Sequence, residues 1–311
     1  MNIVVLDSDT LGDLDLSALN RYGELTIYPY TEYKNTTDRC KDADIVLTNK
    51  VVFDKEILDA LPNLKLISIL ATGMNNVDLE YAKHRGVVVK NVSGYSTNSV
   101  VQTTFMLALA LIGKLDYYQN YTKSGAWSRS PIFTNLERNF FEIAGKKWGI
   151  IGLGTIGSKV ASVASAFGAE VVYYSTSKTP HSKEYKHLEL EELLSSCDII
   201  SIHAPLNENT NNLLDREQLF MLKDGAVLLN LGRGGIVNEA ALAEAIDAKK
   251  LLVGLDVTAN EPIEADNPLL SIKEKENLII TPHIAWASQE ARERLLAGTI
   301  KNIEDFLDAN A

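Results

Sequence analysis

WGIIGLGTIGSKVASVASAF, running from Trp148 to Phe167, changes its period part-way along. Trp148–Ile151 is a short apolar run that suits a buried strand, and Gly152-Leu153-Gly154-Thr155-Ile156-Gly157 follows it directly. Ser158–Phe167 then continues in a helical pattern. A strand that feeds a glycine loop and opens a helix is the context in which such glycines bind a dinucleotide. Gly152 permits the tight turn, Gly154 lets a pyrophosphate approach the backbone, and Gly157 lets helix pack closely on strand. The helix start at Thr155 and Ile156 faces the anion.

The next strand, Val171–Tyr174, ends where an NAD site usually places an Asp or Glu against the ribose hydroxyls. This chain has Ser175 there, followed by Thr176-Ser177-Lys178. Small hydroxyls and a cation tolerate a 2′-phosphate, and no carboxylate repels one, so NADP is the favoured cofactor. The plainer reading is a solvated turn with NAD bound.

Working outward, short β-branched runs alternate with helical patterns through the first ninety residues: Asn2–Leu6, Leu25–Tyr28, Ile45–Leu47, Leu66–Ile69 and Val87–Val89. A long helical stretch near Asn98–Tyr121 precedes six more strands, at Trp148–Ile151, Val171–Tyr174, Asp198–Ile202, Ala226–Leu229, Leu251–Leu255 and Leu278–Thr281. The intervals admit crossover helices, and near-continuous apolar strands suit parallel sheets covered on both faces. An α/β chain with two doubly wound parallel-sheet domains is expected. Tyr121–Ala144 lacks periodicity and reads as an extended arm. Ser288–Leu307 is a final amphipathic helix whose docking partner periodicity does not reveal.

A length of 311 residues agrees with two domains. Forty-one acidic against thirty basic residues give a net charge of -11, which repels phosphate backbones and anionic membranes, so neither nucleic acid nor a membrane is an expected partner. Phe105–Ile112, the longest apolar run, is too short to span a bilayer. The two cysteines, Cys40 and Cys197, lack zinc-site spacing and are too few for a disulfide framework. A cytoplasmic protein without a bound metal is expected.

In a parallel sheet every strand delivers its carboxyl end to one edge, where ligands bind. After the glycine loop the residues delivered there are His203-Ala204-Pro205, Asn230-Leu231-Gly232-Arg233-Gly234-Gly235, Asp256 followed by Glu261, and Pro282-His283. Of five histidines, His84, His181 and His187 sit in polar surroundings and read as solvated surface residues. His203 reads as a strand-closing or cofactor-loop residue, and His283 as the acid/base. Arg233, flanked by glycines, suits a two-pronged grip on a carboxylate. A Glu261 carboxylate beside His283 would favour the charged imidazole, as a proton donor near neutral pH requires.

Taken together, the glycine loop, Asn230-Leu231-Gly232-Arg233-Gly234, Gly254-Leu255-Asp256-Val257 with Glu261-Pro262, and Thr281-Pro282-His283-Ile284 resemble the D-isomer-specific 2-hydroxyacid dehydrogenase family in order and spacing. The resemblance implies that Arg233 binds the substrate carboxylate and carbonyl, His283 exchanges the proton and Glu261 orients His283. It also implies that Asp256 holds the nicotinamide carboxamide, while His203, Ala204, Pro205, Leu231 and Gly232 belong to the cofactor loops. Ala71-Thr72-Gly73-Met74 looks like the loop whose backbone N–H groups neutralise the substrate carboxylate.

The family further implies a Rossmann cofactor domain over residues 100–287, a flavodoxin-like substrate domain made of 1–99 plus 288–311, and a homodimer formed through the cofactor domain. Ser93-Gly94-Tyr95-Ser96, Asp266-Asn267-Pro268-Leu269-Leu270 and Ile284-Ala285-Trp286-Ala287 are most similar to its glycerate dehydrogenase, or hydroxypyruvate reductase, branch. There Trp286 either narrows the pocket toward short acids or is a packing residue. The reaction implied is reduction of a small 2-keto acid, hydroxypyruvate or glyoxylate, to the D-2-hydroxy acid. D-lactate-type and phosphoglycerate dehydrogenases are the alternatives, and a nicotinamide-sensing corepressor-like binding protein is a more distant one. Glu261 stands where formate dehydrogenases carry an amide.

Overall fold

The structure is a computed structural model and describes every residue except 178, 180, 181, 310 and 311. Lys178, expected in the cofactor loop, and His181 therefore lie outside the described residues. The chain forms two compact units, Met1–Ser96 with Trp286–Ala311, and Thr97–Ala285.

In the first unit, β1 (Asn2–Val5), β2 (Glu24–Ile27), β3 (Ile45–Thr48), β4 (Leu66–Ile69) and β5 (Val88–Lys90) form one sheet in the order β2-β1-β3-β4-β5. Every pairing is parallel. This is the flavodoxin-like order, and its reversal point lies between β1 and β3. β3 and β4 are buried at all four positions, which is why their sequences, IVLT and LISI, run apolar without strict alternation. The crevice at the reversal point is filled from within. Asp7, just past β1, is 3% exposed and accepts N–H bonds from Asn49 and Lys50 and a hydroxyl bond from Thr48. Burial pushes its carboxyl pKa up, and those donors oppose the rise.

The last helix, Gln289–Asp308, belongs to this unit. Its N–H at Ala291 donates to the Ser288 side chain, a cap worth about 1 kcal/mol. Ala291, Leu295, Ile303 and Phe306 fall on one stripe and enter the core beside Ile3, Val5 and Leu66. Each large apolar side chain buried there contributes on the order of 2 kcal/mol.

In the second unit the strands are β6 (Lys147–Ile151), β7 (Glu170–Tyr174), β8 (Lys186–His187), β9 (Ile199–Ile202), β10 (Val227–Asn230), β11 (Leu252–Leu255) and β12 (Leu278–Ile280). They are parallel throughout in the order β12-β11-β10-β9-β6-β7-β8. The order reverses between β6 and β9, placing a crevice beyond Ile151 and Ile202. The helix Thr97–Ile112 packs on β10 and β11 and beside the helix Thr155–Ala166, with Phe105 against Trp148 at 5.0 Å.

Three details differ from the sequence reading. The second sheet has seven strands rather than six, because β8 is only two residues long and leaves no periodic trace. His187, expected on the solvated surface, lies in β8, is half-buried, and packs edge-on against Tyr173 at 5.3 Å. The long helical stretch is two helices, Thr97–Ile112 and Leu115–Lys123, bent by 63° at Gly113-Lys114, where Lys114 adopts φ 52°. Among the described residues no single helix is long and apolar enough to cross a membrane. From Ser130 to Ala144 the chain carries no helix or strand, and Ile132, Phe133, Leu136 and Phe140 are exposed.

Candidate active site

The β6 to helix turn has the geometry the glycines require. Gly152 adopts φ 92°, and a Cβ on Gly157 would stand 2.1 Å from the Gly152 carbonyl oxygen, so only glycine lets the helix start so close to the strand. Around Gly154, which caps the helix Thr155–Ala166, a Cβ would meet nothing within 4 Å. Open space in front of a 12-residue helix N-terminus is the cradle a pyrophosphate needs.

The switch-point neighbours close around this cradle. The Ala204 backbone, past β9, lies where a Gly152 side chain would be and also faces Gly232. Leu231 is buried, and Pro205 is exposed at the same rim. Ser175, at the end of β7, is 3% exposed, and its hydroxyl lies 3.0 Å from that of Ser177. Thr176 is half-buried, and the residues that follow β7 in sequence, Ser175 to Ser177, carry no carboxylate.

Both ring nitrogens of His203 are buried without a hydrogen-bond partner among the described residues, and burial pushes the imidazole down to about 3. Burial thus disfavours its charged form, which argues against His203 as the proton donor.

A histidine–carboxylate pair forms at the β11 and β12 ends. His283 Nδ1 lies 2.7 Å from Glu261 Oε2, with the side chains 26% and 32% exposed. The Thr258 N–H donates to the other carboxylate oxygen, Oε1, at 3.3 Å. The remaining ring nitrogen, Nε2, has no hydrogen-bond partner among the described residues. A carboxylate on Nδ1 fixes the ring orientation and leaves Nε2 to exchange the proton. Asp256 is 2% exposed, and burial pushes its carboxyl up; it accepts bonds from Thr281 Oγ1 at 2.6 Å, Ile284 N–H at 2.9 Å and Ala285 N–H at 2.8 Å.

Arg233 is exposed and forms no ion pair among the described residues; its Nη1 donates to the Gly232 carbonyl at 2.8 Å. Two residues that the motifs contain but to which the sequence reading gave no role hold these loops. Asn230, 2% exposed, donates to the Arg233 carbonyl at 2.9 Å and accepts from the Gly232 N–H at 3.1 Å. Thr281 ties Asp256 to the histidine segment. Both are polar residues at the ends of otherwise apolar strands, and that position was the available signal.

Thr72, Gly73 and Met74 belong to the first unit, in the loop after β4. Thr72 Oγ1 donates to the Val92 carbonyl at 3.2 Å, and the Met74 carbonyl accepts from the Val77 N–H at 3.1 Å. Trp286 also belongs to the first unit and packs edge-on against Tyr95, with ring centroids 6.3 Å apart.

With this geometry in hand, residues 105–285 match the family model described as "D-isomer specific 2-hydroxyacid dehydrogenase, NAD binding domain". The chain belongs to the D-isomer specific 2-hydroxyacid dehydrogenase family. It is 38% identical to a hydroxypyruvate reductase of Blautia hydrogenotrophica, covering 99% of this chain and 97% of that one. It is 36% identical to a glycerate dehydrogenase of Methylorubrum extorquens, covering 90% of each. Among solved structures, D-lactate dehydrogenase from Aquifex aeolicus, complexed with NAD and lactic acid, superposes with a TM-score of 0.86 at 28% identity, covering 99% of this chain and 96% of that one. The protein is thus an oxidoreductase of small 2-hydroxy and 2-keto acids with a nicotinamide cofactor.

Proposed function

We propose that this dehydrogenase reduces a short 2-keto acid, hydroxypyruvate or glyoxylate, to D-glycerate or glycolate. The observation that carries the reading is the Glu261–His283 pair at one carboxyl edge with an Arg233 that forms no ion pair among the described residues. When bound, the dinucleotide supplies the hydride that the carbonyl carbon receives. His283, charged and held by Glu261 at Nδ1, gives the proton on Nε2 to the carbonyl oxygen. Arg233 grips the carboxylate and stabilises the negative charge that develops on that oxygen. By the family resemblance, Thr72, Gly73 and Met74 form a loop whose backbone N–H groups suit a carboxylate, and Trp286 either limits the length of the acid or packs against Tyr95.

Gly152, Gly154, Thr155, Ile156 and Gly157 would hold the pyrophosphate, and Ser175 to Ser177 the adenosine ribose. The absence of a carboxylate after β7 supports NADP over NAD. Exposed Ile132, Phe133, Leu136 and Phe140, between 61% and 89% exposed, support a homodimer formed through the second unit. Two free, buried cysteines fit a cytoplasmic setting.

Hydroxypyruvate, glyoxylate, pyruvate and 3-phosphohydroxypyruvate, each assayed with NADH and NADPH, test substrate and cofactor together. Highest kcat/KM for hydroxypyruvate or glyoxylate with NADPH is expected. Preference for pyruvate or the phosphorylated acid, or equal rates across the panel, would overturn the substrate assignment. Sedimentation velocity tests the dimer.

A further inference from the structure

We infer that Glu239 is a positioning residue for the proton donor: its carboxylate grips the loop that carries Glu261 at two points and fixes it against the segment that carries Arg233. This rests on the proton-transfer reading of His283. Glu239 opens the helix Glu239–Lys249, which is capped by the Asn238 side chain, the acceptor for the Ala241 N–H at 3.1 Å. Its Oε1 accepts from the Ala259 N–H at 2.6 Å, just before Glu261 in the chain. Its Oε2 accepts from Asn267 Nδ2 at 2.6 Å, beyond Glu261. N–H bonds to a carboxylate are stronger than those to a neutral acceptor, and both oxygens bond to the one loop.

The loop needs such a grip. From Ala259 to Asp266 the chain has no helix, no strand and no fully buried residue, so packing does little to place it. Thr258 Oγ1 donates to the Asn260 carbonyl at 2.7 Å, Asn260 Nδ2 to Glu264 Oε1 at 2.9 Å, and the Asn267 N–H to the Glu264 carbonyl at 3.1 Å. Those bonds shape the loop without tying it to a neighbour. Glu261 lies between the two gripped points, and from there its Oε2 holds His283 Nδ1 at 2.7 Å. Asn267 is itself anchored, being 6% exposed with its Oδ1 accepting from the Leu269 N–H at 3.0 Å.

Glu239 also sets the loop's register against Arg233. The two residues share one short stretch of chain, with Ile236 and Val237 buried between them. That stretch meets the Glu261 loop twice. A Cβ on Gly234 would stand 1.8 Å from the Thr258 carbonyl oxygen, so the two backbones touch there, and Glu239 bonds the next residue, Ala259. A first-turn glutamate also suits the positive end of a helix, but that role calls for neither Ala259 nor Asn267.

Glu239→Gln, Asn267→Asp and the double variant are the tests, with Glu261→Gln and His283→Ala as references. In Glu239→Gln the amide keeps one acceptor while its NH2 group faces that of Asn267. In Asn267→Asp two carboxylates face each other, and the acceptor for the Leu269 N–H is kept. In the double variant the new amide donates to the new carboxylate, so the lost bond returns with donor and acceptor exchanged and Ala259 keeps its acceptor. Each is assayed for kcat, KM and the pH profile of kcat/KM with hydroxypyruvate and NADPH, or with the acid and nucleotide that the panel above ranks first, and for stability by urea titration.

A misplacement of about 1 Å costs roughly a hundredfold in rate, and a loosened loop is a smaller displacement. Each single variant is therefore expected to lower kcat about tenfold with KM within about threefold. A carboxylate within about 4–6 Å shifts a neighbouring group by about 1–3 pH units. A drifting Glu261 should then move the basic limb of kcat/KM for reduction down by about half a unit or more, in the direction of Glu261→Gln. The double variant should recover kcat to within about threefold of wild type and restore the limb. Lowered stability with a wild-type kcat and pH limb in both single variants would overturn the inference and leave Glu239 as a brace for the helix. A double variant as slow as the single ones would overturn it too. If Glu239→Gln does not fold, Asn267→Asp decides, and a wild-type kcat and limb there refute the grip. Full activity in His283→Ala would instead remove the proton-transfer reading itself, so the two failures are told apart.

Discussion

Replacing His203 by Leu should make the fold less sensitive to acid. Burial pushes the imidazole from its ordinary 6.5 to about 3, and neither ring nitrogen is hydrogen-bonded among the described residues. A lowered folded-state pKa means that the unfolded chain takes up the proton first. Stability from this group is complete above the unfolded value and is lost as pH falls from there toward about 3. At about pH 5 an unfolded histidine is roughly thirtyfold more protonated than not, and RT ln 30 is about 2 kcal/mol. The wild type should therefore lose about 2 kcal/mol more than His203→Leu between about pH 7.5 and pH 5, since contributions from other groups cancel in the difference. At the higher pH the variant should be as stable as the wild type or more so, because two buried polar atoms without partners have been replaced by an apolar group. Urea titrations of both proteins at several pH values, followed by circular dichroism and tryptophan emission, measure this directly. Parallel stability curves would show that His203 protonates equally in both states, and the reasoning from its burial would fail.

His283→Ala should lower kcat by a thousandfold or more while NADPH Kd changes by less than about threefold, measured by steady-state assay and fluorescence titration. Gly157→Ala drives a Cβ to within 2.1 Å of the Gly152 carbonyl oxygen, so it should cost about 1–3 kcal/mol in urea titration and raise cofactor KM at least about tenfold. Ser175→Asp places a carboxylate after β7 and should lower kcat/KM for NADPH relative to NADH at least about tenfold; an unchanged ratio would show that this position does not choose the cofactor. Asp59, tied to Lys55, Tyr81 and Arg85, is held down to about 2. Its contribution is present above the ordinary carboxylate value and lost as pH falls toward about 2, so Asp59→Asn should flatten the acid limb of the melting curve in that range.

The most legible parts of the chain were those where one short segment carries its own constraint. The strand, glycine loop and helix around Gly152 to Gly157 sit together in sequence, and the pattern of small residues admits little else at that spacing. The same holds for the polar residues past β10, β11 and β12, because a parallel sheet sends every strand end to one edge. β8 stayed hidden because two residues next to β7 give no period to read, and it misled the reading of His187. The bend at Gly113-Lys114 was equally silent, since apolar residues continue on both sides of it.

What the sequence determined by itself was the kind of fold and which chemistry-bearing groups stand at the strand ends: apolar runs that demand buried parallel strands, and an imidazole, a carboxylate and a guanidinium past them. What only the tertiary structure decided was how those groups are held. Asp7 closes the first sheet's crevice, Asn230 braces Arg233, and Asp256 with Thr281 brackets a left-handed His283. These bonds join residues as many as 43 positions apart. Such partners are chosen by packing, which brings distant strand ends to one level, and no local pattern of residues records that choice.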